Sequence, residues 1–324
     1  MRVFLVLCCG AVIGATLGCG ESAPETGSGS APEALEPFAL LIDWQAEPTY
    51  IGVYLARETG AFRRLGLDVE VVESSGADAA AAAVAEGRYP VATASGGATI
   101  TAVARGASLV STAVLYQQLP TVVYGLAAQG VEAPSDLTGK RVGIYPDSTT
   151  RHEFAVLLSN AGMGAEDVET VSIDGPDLPL VRSGEVDAAV NYVEMSPTEL
   201  ALQEETFRLA LADHGVDAYG LNVIASRAAH EEDRVLIEGL TAAIVEGYRN
   251  ACADRPAAAG VFLELFPDRD AGYVEASLRR VCELVGDDAG LQTAEGWQST
   301  IDVYAAAGLL EGPVAPGDVL PDSR

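Results

Sequence analysis

The chain has 324 residues, of which 47 are acidic and 19 basic, giving a formal charge of −28 at pH 7. A surface so acidic is repelled by phosphate backbones and anionic lipid, so neither nucleic acid nor a charged bilayer is expected as the main partner. The roughly 290 residues after position 37 exceed one small domain and suit two α/β lobes.

In chain order, Arg2 precedes an apolar run from Val3 to about Leu17, and Leu17-Gly18-Cys19 follows as a lipoprotein-type processing box. Residues 1–18 are therefore expected to be a signal peptide, and Cys19 the lipidated first residue of an extracytoplasmic protein, anchored at a membrane in the periplasm or at the cell surface. No later stretch reaches the ~18 consecutive apolar residues of a membrane span. Residues 19–37 complete a Gly, Ser, Pro and Glu-rich tether with a reach of roughly 20 Å. With Cys8 and Cys9 removed and Cys19 lipidated, Cys252 and Cys282 are left as either a disulfide or two unrelated buried thiols.

Strands are expected at 38–43, 68–72, 91–94 and 109–115, alternating with helices at 51–64, 77–87 and 97–105, which implies βαβ units and a largely parallel sheet. The run 121–127 reads as a first crossover. A second series follows: strands at 141–144, 168–173 and 187–190, with helices at 149–161, 177–183 and 196–204. Residues 219–225 would return the chain as a second crossover, and helices near 231–253, 256–265, 271–286 and 294–307 would pack on the first lobe. The expected lobes are 38–123 with 222–324, and 124–221, closing about the two crossovers.

Ligands of open α/β sheets sit beyond the carboxyl ends of strands. The loops there carry Trp44, Tyr50 and Tyr54; Ser95 and Gly96; Tyr116 and Gln117; Tyr145, Ser148 and Thr149; and Asn191 and Glu194. Aromatics are only 6% of the chain, so their concentration here suits a flat ring, with Glu194 as an acceptor for an amine or protonated nitrogen. Ser95-Gly96-Gly97 and Ser148-Thr149 could instead present helix-start amides to an anion, or serve simply as caps, and Thr150-x-x-Glu153 matches a capping box. His152, His214 and His230 are scattered without metal-ligand spacing, and neither a nucleophile-elbow nor a phosphate-loop motif occurs. Asp268-Arg269-Asp270 lacks the other ligands of a calcium loop.

The stretch Asp43–Val72, DWQAEPTYIGVYLARETGAFRRLGLDVEVV, resembles the opening of extracytoplasmic solute-binding proteins of ABC importers, in particular the group that captures thiamine pyrimidine precursors and is related to a fungal pyrimidine synthase. The resemblance continues through GKRVG at 139–143, DAAVNYVE at 187–194 and YGLNVIAS at 219–226. Where those proteins usually read Asp-Trp-x-Pro-Asn-x-x-His, this chain has Ala46, Glu47 and Tyr50. The resemblance implies a type II periplasmic-binding-protein-like α/β fold, a monomer without cofactor, and ABC permease subunits as partners. The implied ligand is a small nitrogen heterocycle; an aliphatic sulfonate, nitrate or other small anion is the alternative, and a ligand sensor without transport a third. Catalysis as in the synthase would call for a His, a cysteine-rich motif and a pyridoxal phosphate lysine, whereas this chain has Tyr50, no cysteine cluster and a single lysine, Lys140.

Overall fold

The computed structural model describes residues 34–146 and 148–322. The signal peptide, Cys19 and nearly all of the tether expected from the sequence lie outside the described residues. The first sheet draws on β1 (Glu36–Ile42), α1 (Ile51–Glu58), β2 (Leu67–Glu73), α2 (Ala77–Ala85), β3 (Val91–Ser95), α3 (Gly96–Ala104) and β4 (Leu109–Val114). The second draws on β5 (Thr121–Leu126), β6 (Arg141–Ile144), α4 (Thr149–Asn160), β7 (Glu169–Ser172), α5 (Asp177–Ser183), β8 (Ala188–Tyr192), α6 (Ser196–Ala201) and β9 (Thr206–Ala210). The chain then returns through β10 (Leu221–Ser226) and ends in α7 (Arg227–Glu232), α8 (Arg234–Ala253), α9 (Arg255–Leu265), α10 (Ala271–Val285), α11 (Ala294–Ala306) and α12 (Pro316–Val319).

The strand orders are β2-β1-β3-β10-β4 and β7-β6-β8-β5-β9. Each sheet is mixed: β10 runs antiparallel to both β3 and β4, and β5 antiparallel to both β8 and β9, while β1, β2 and β3 are mutually parallel, as are β6, β7 and β8. The two reversed strands are the first that the chain forms after each passage between sheets. The parallel ends of β1, β3, β6 and β8 therefore deliver their following loops to the junction between the lobes, where ligands of such sheets bind.

The expected 231–253 helix is interrupted at Asp233, whose side chain accepts from the Leu236 amide at 3.0 Å and starts α8 afresh. Helix α8 crosses α1 at a glycine pair: a Cβ on Gly52 would lie 2.1 Å from the Tyr248 ring, and one on Gly247 would lie 2.0 Å from the Gly52 carbonyl oxygen. That approach lets the Tyr248 hydroxyl donate to the Thr49 carbonyl at 2.6 Å, fixing the loop after β1. Cys252 and Cys282 form a disulfide between α8 and α10, with Cα atoms 5.3 Å apart. Closing a loop of this sequence separation, 30 residues, contributes about 3 to 4 kcal/mol on the chain-entropy model.

The terminal helices do not pack on the first sheet alone. Helix α10 also touches α6, and α11 touches both α3 and α4. Trp297, Ile301 and Tyr304 of α11 share one apolar cluster with Ile100 and Val114 on the first-lobe side and Val142, Phe154 and Val190 on the second. Among the described residues, no helix is long and apolar enough to cross a membrane.

Candidate functional site

The site assembles from loops that leave β1, β3, β4, β6 and β8. Asp43, the first residue after β1, is 4% exposed and accepts from the Thr93 hydroxyl of β3, with the Tyr50 hydroxyl close by, while its amide donates to Thr93 Oγ1 at 3.0 Å. Burial raises its pKa despite these bonds. Trp44 beside it remains partly accessible and meets Tyr145 of the other lobe edge-on, with ring centroids 6.1 Å apart. Thr49 donates to Glu194 Oε1 at 3.3 Å, and Ser95 Oγ to Thr149 Oγ1 at 3.3 Å, so three contacts join the lobes.

Glu194 is the most unusual group. It is 0% exposed, and its Oε2 has no hydrogen-bond partner. Burial pushes its carboxyl up to about 7; bonds from its own backbone and Thr49 and the nearby Tyr116 hydroxyl oppose the shift, and the negative charge of Asp43 adds to it. The Tyr116 hydroxyl lies close enough to perturb Glu194 but makes no hydrogen bond of ordinary geometry, leaving two adjoining buried polar groups unsatisfied. Native structures rarely leave such groups bare without a functional reason.

Tyr192 completes the centre. It retains partial access, yet its hydroxyl feels the carboxyls of Glu153, Asp43 and Glu194, which together with burial raise it well above the usual phenol range. Glu153 is also 0% exposed and raised to about 7 by burial, but both its oxygens are used: Thr121 donates to one and Tyr304 of α11 to the other, the latter at 3.0 Å. The expected capping box is therefore not formed. Ser148 is the N-cap of α4 but its side chain accepts from no helix amide, Thr150 pairs with Ser148, and Glu153 lies on the helix face toward β5 and α11, too deep to reach back to the helix start.

The remaining expected site residues divide. Tyr50 is 1% exposed, with its hydroxyl near Asp43, so it supports the site from inside. Ser95 caps α3 by accepting from the Ala98 amide at 3.1 Å. Gly96 and Gly97 make room for neighbours: the Gly96 amide donates to the Gly220 carbonyl at 2.7 Å, and Cβ atoms at the two positions would lie 2.4 Å from the Tyr219 carbonyl and 1.9 Å from the Tyr304 hydroxyl. Tyr54 is away from the junction, packed edge-on against Phe262 and Phe266 in the α1–α9 core. Gln117 donates to the carbonyls of Asp288 and Leu291. Ser148 donates to the Tyr145 carbonyl at 2.7 Å and closes its own loop. Asn191 donates to Asp177 and Ser196, in a network that Tyr124 also joins. Ala46 and Glu47 are tied down as well: Arg269 reaches the Ala46 carbonyl at 2.7 Å and Glu47 at 2.9 Å, and the Tyr273 hydroxyl donates to Glu47.

The family model described as NMT1/THI5 like matches residues 47–259, the span that contains both sheets' crossovers and most of these loops. The chain belongs to the NMT1/THI5-like family. Its relatives include a formylaminopyrimidine-binding protein of Halalkalibacterium halodurans, 27% identical over 307 residues, covering 91% of this chain and 92% of that protein. A 4-amino-5-hydroxymethyl-2-methylpyrimidine phosphate synthase of Schizosaccharomyces pombe is 25% identical over 163 residues, 50% of this chain and 47% of the synthase. Among solved structures, the alkanesulfonate-binding protein of Xanthomonas axonopodis pv. citri bound to MOPS superposes with a TM-score of 0.72 at 17% identity, covering 90% of this chain and all of that one. A Candida albicans protein described as having the generic periplasmic binding protein fold superposes at 0.67 over 86% of this chain and 92% of its own, at 15% identity. The two-lobed α/β architecture expected from the sequence is thus the architecture of this NMT1/THI5-like chain.

Sequence reasoning missed Asp43, Thr49 and Glu153 as cleft groups, whereas Tyr192 lies in the Asn191–Glu194 loop already expected at the cleft. Asp43 and Thr49 stand within the very stretch that carries the resemblance, and adjacency to Trp44 and Tyr50 was the available signal. For Glu153 there was none, because its partners are 32 and 151 positions away.

Proposed function

We propose that this protein is the extracytoplasmic solute-binding subunit of an ABC import system, which captures a small nitrogen heterocycle such as a thiamine pyrimidine precursor and passes it to permease subunits. The observation that carries this reading is the free Oε2 of fully buried Glu194, beside the unpartnered Tyr116 hydroxyl and the accessible rings of Trp44, Tyr145 and Tyr192. Aromatic side chains of this kind stack on a flat ring once the lobes admit it, and its amine or ring N–H would supply the donor that Glu194 lacks. The extended likeness to a formylaminopyrimidine-binding protein supports the same ligand class. In this reading the lobes 38–123 with 222–324, and 124–221, close on the ligand about the two crossovers. Lipidated Cys19 holds the monomer at the membrane.

A sulfonate, nitrate or other small anion is the second reading, favoured by the structural likeness to an alkanesulfonate binder. Two features weigh against it: Asp43, Glu153 and Glu194 would repel an anion, and the Gly96 amide that could have bound one is already used by Gly220. Catalysis of the synthase kind lacks its lysine. Lys140 stands before β6, at the end of the strand remote from Tyr145, and its Nζ donates to the Gln129 carbonyl at 2.9 Å.

Mass spectrometry of small molecules released from the purified protein tests the reading, with a thermal-shift panel beside it. A heterocycle at 100 times its dissociation constant should stabilise the protein by about 2.7 kcal/mol. Recovery of a sulfonate, and stabilisation by sulfonates alone, would reverse the preference. Heterocycle binding without any loss of uptake on gene deletion would favour the sensor role.

A further inference from the structure

We propose that the cleft binds its heterocycle together with one proton, shared between a ring nitrogen and Glu194, so that loading is coupled to proton exchange. This rests on the heterocycle reading above and adds the proton content of the bound complex.

Two buried carboxyls approach the junction from the second lobe, Glu153 and Glu194, and one from the first, Asp43. Tyr192 senses all three. The ionisable charges that act on the two glutamates are themselves acidic, Asp43 on Glu194 and Asp78 on Glu153. The other groups facing Glu194 are hydroxyls: Thr49 from the loop after β1, Tyr116 after β4, Tyr192 on β8, Tyr248 on α8 and Tyr273 on α10. Arg269, the guanidinium beside this loop, is already paired with Glu47. An ionised Glu194 is thus buried with one bare oxygen and no compensating charge, which is costly until something brings a donor and a positive charge. A metal ion is a poor match, because among the described residues no three His, Cys, Asp or Glu side chains are grouped to hold one. An organic cation that brings its own N–H donors needs no such ligand set.

An aminopyrimidine meets the need, since protonation of the ring nitrogen beside an exocyclic amine creates two parallel N–H donors that a carboxylate accepts side by side. The proton balance follows directly. The complex contains one proton between ring and carboxyl, whether written as ring cation with carboxylate or as neutral ring with carboxylic acid. Glu194, pushed up to about 7 in the empty cleft, carries that proton at lower pH and has lost it at higher pH. A neutral ring therefore binds with no net exchange below that value and with uptake of one proton above it, and affinity falls about tenfold per pH unit on the alkaline side.

Calorimetry of the purified protein with 4-amino-5-hydroxymethyl-2-methylpyrimidine, repeated in buffers of different ionisation enthalpy between about pH 6 and pH 9, counts the protons. Uptake should rise from near zero towards one while affinity declines, and Glu194→Gln should abolish the uptake and flatten the alkaline decline. Tight binding with pH-independent affinity and no exchange overturns the shared proton but leaves the heterocycle reading intact. Uptake that persists in Glu194→Gln overturns the assignment to Glu194, and failure to bind at any pH overturns both.

Discussion

Glu153 and Glu194 are two carboxyls of one lobe with the same burial and the same upward push to about 7, yet they have opposite partner sets. Glu153 gives both oxygens to hydroxyls, Thr121 on β5 and Tyr304 on α11, and so ties the first strand after the crossover to a helix shared by both lobes. Glu194 receives one long bond from Thr49 across the lobes and leaves an oxygen bare. Burial alone therefore does not mark a ligand group. The informative combination is burial with an unmet hydrogen-bonding need, since a satisfied carboxyl holds structure and an unsatisfied one awaits a partner.

The largest effect that follows is on pH-dependent stability. Both glutamates have folded pKa values raised above the ordinary carboxyl value of 4.5, so the folded state binds more protons than the unfolded one between about pH 4.5 and pH 7. Stability of the empty protein should accordingly fall as pH rises through that window and level off above it. At full titration the two groups together account for about 7 kcal/mol. Denaturant unfolding at pH 5, 6, 7 and 8 of the wild type beside Glu153→Gln and Glu194→Gln isolates this from the opposing contribution of His152 and His230, whose pKa values burial lowers, and variants with the wild-type pH slope would show that neither carboxyl is held as described.

Next in size is the cost of removing each group. Glu153→Ala leaves the buried Thr121 and Tyr304 hydroxyls without their acceptor and should destabilise the fold by about 3 kcal/mol. Glu194→Ala forfeits only a 3.3 Å bond and should change stability by less than about 1 kcal/mol. Equal losses in the two variants, read by chemical denaturation, would erase the distinction.

Ligand affinity should show the reverse order. Glu194→Gln should weaken heterocycle binding by about 1 to 3 kcal/mol, a severalfold to hundredfold change, because an amide cannot offer the charged acceptor that the ring's donor requires. Glu153→Gln should leave affinity nearly unchanged. Calorimetry on both variants tests the pair, and a larger loss at Glu153 would move the ligand toward α4 and α11.

Much of this arrangement was legible in the sequence, for reasons that differ by element. The boundaries 141–144 and 177–183 coincide with β6 and α5, and the disulfide is one of the two outcomes that cysteine arithmetic left open. Strand β9 was missed because TFRLA is only five residues long and directly follows the acidic end of the helix expected at 196–204. Within the single stretch Asp43–Val72, Tyr50 and Tyr54 were indistinguishable. Which one faces the junction depends on α9, whose Phe262 lies more than 200 positions downstream and claims Tyr54 for the core. Ser95-Gly96-Gly97 stayed open between an anion-binding helix start and a plain cap for the same reason: the space at the two glycines is filled by Tyr219 and Tyr304, and local sequence does not foretell partners that distant.

The smallest effect concerns the aromatic wall, and it bears on whether the comparison extends from carboxyls to rings. Trp44 meets Tyr145 edge-on across the lobes at 6.1 Å, with an interplanar angle of 66°. If this contact only fastened the closed form, it would resemble Glu153, and Trp44→Ala would lower stability without a specific effect on ligand. If both rings are walls for a flat solute, the pair resembles Glu194: each is partly accessible, and each has a face left to offer. Removing one stacking face should then cost about 1 kcal/mol of binding beyond lost burial, with Trp44→Phe recovering part of it because a smaller face remains. A double-mutant cycle between Trp44→Ala and Tyr145→Leu decides the matter. Rings that act only on each other give a coupling energy that is the same with and without ligand, whereas rings that sandwich a solute give a coupling that grows when ligand is bound.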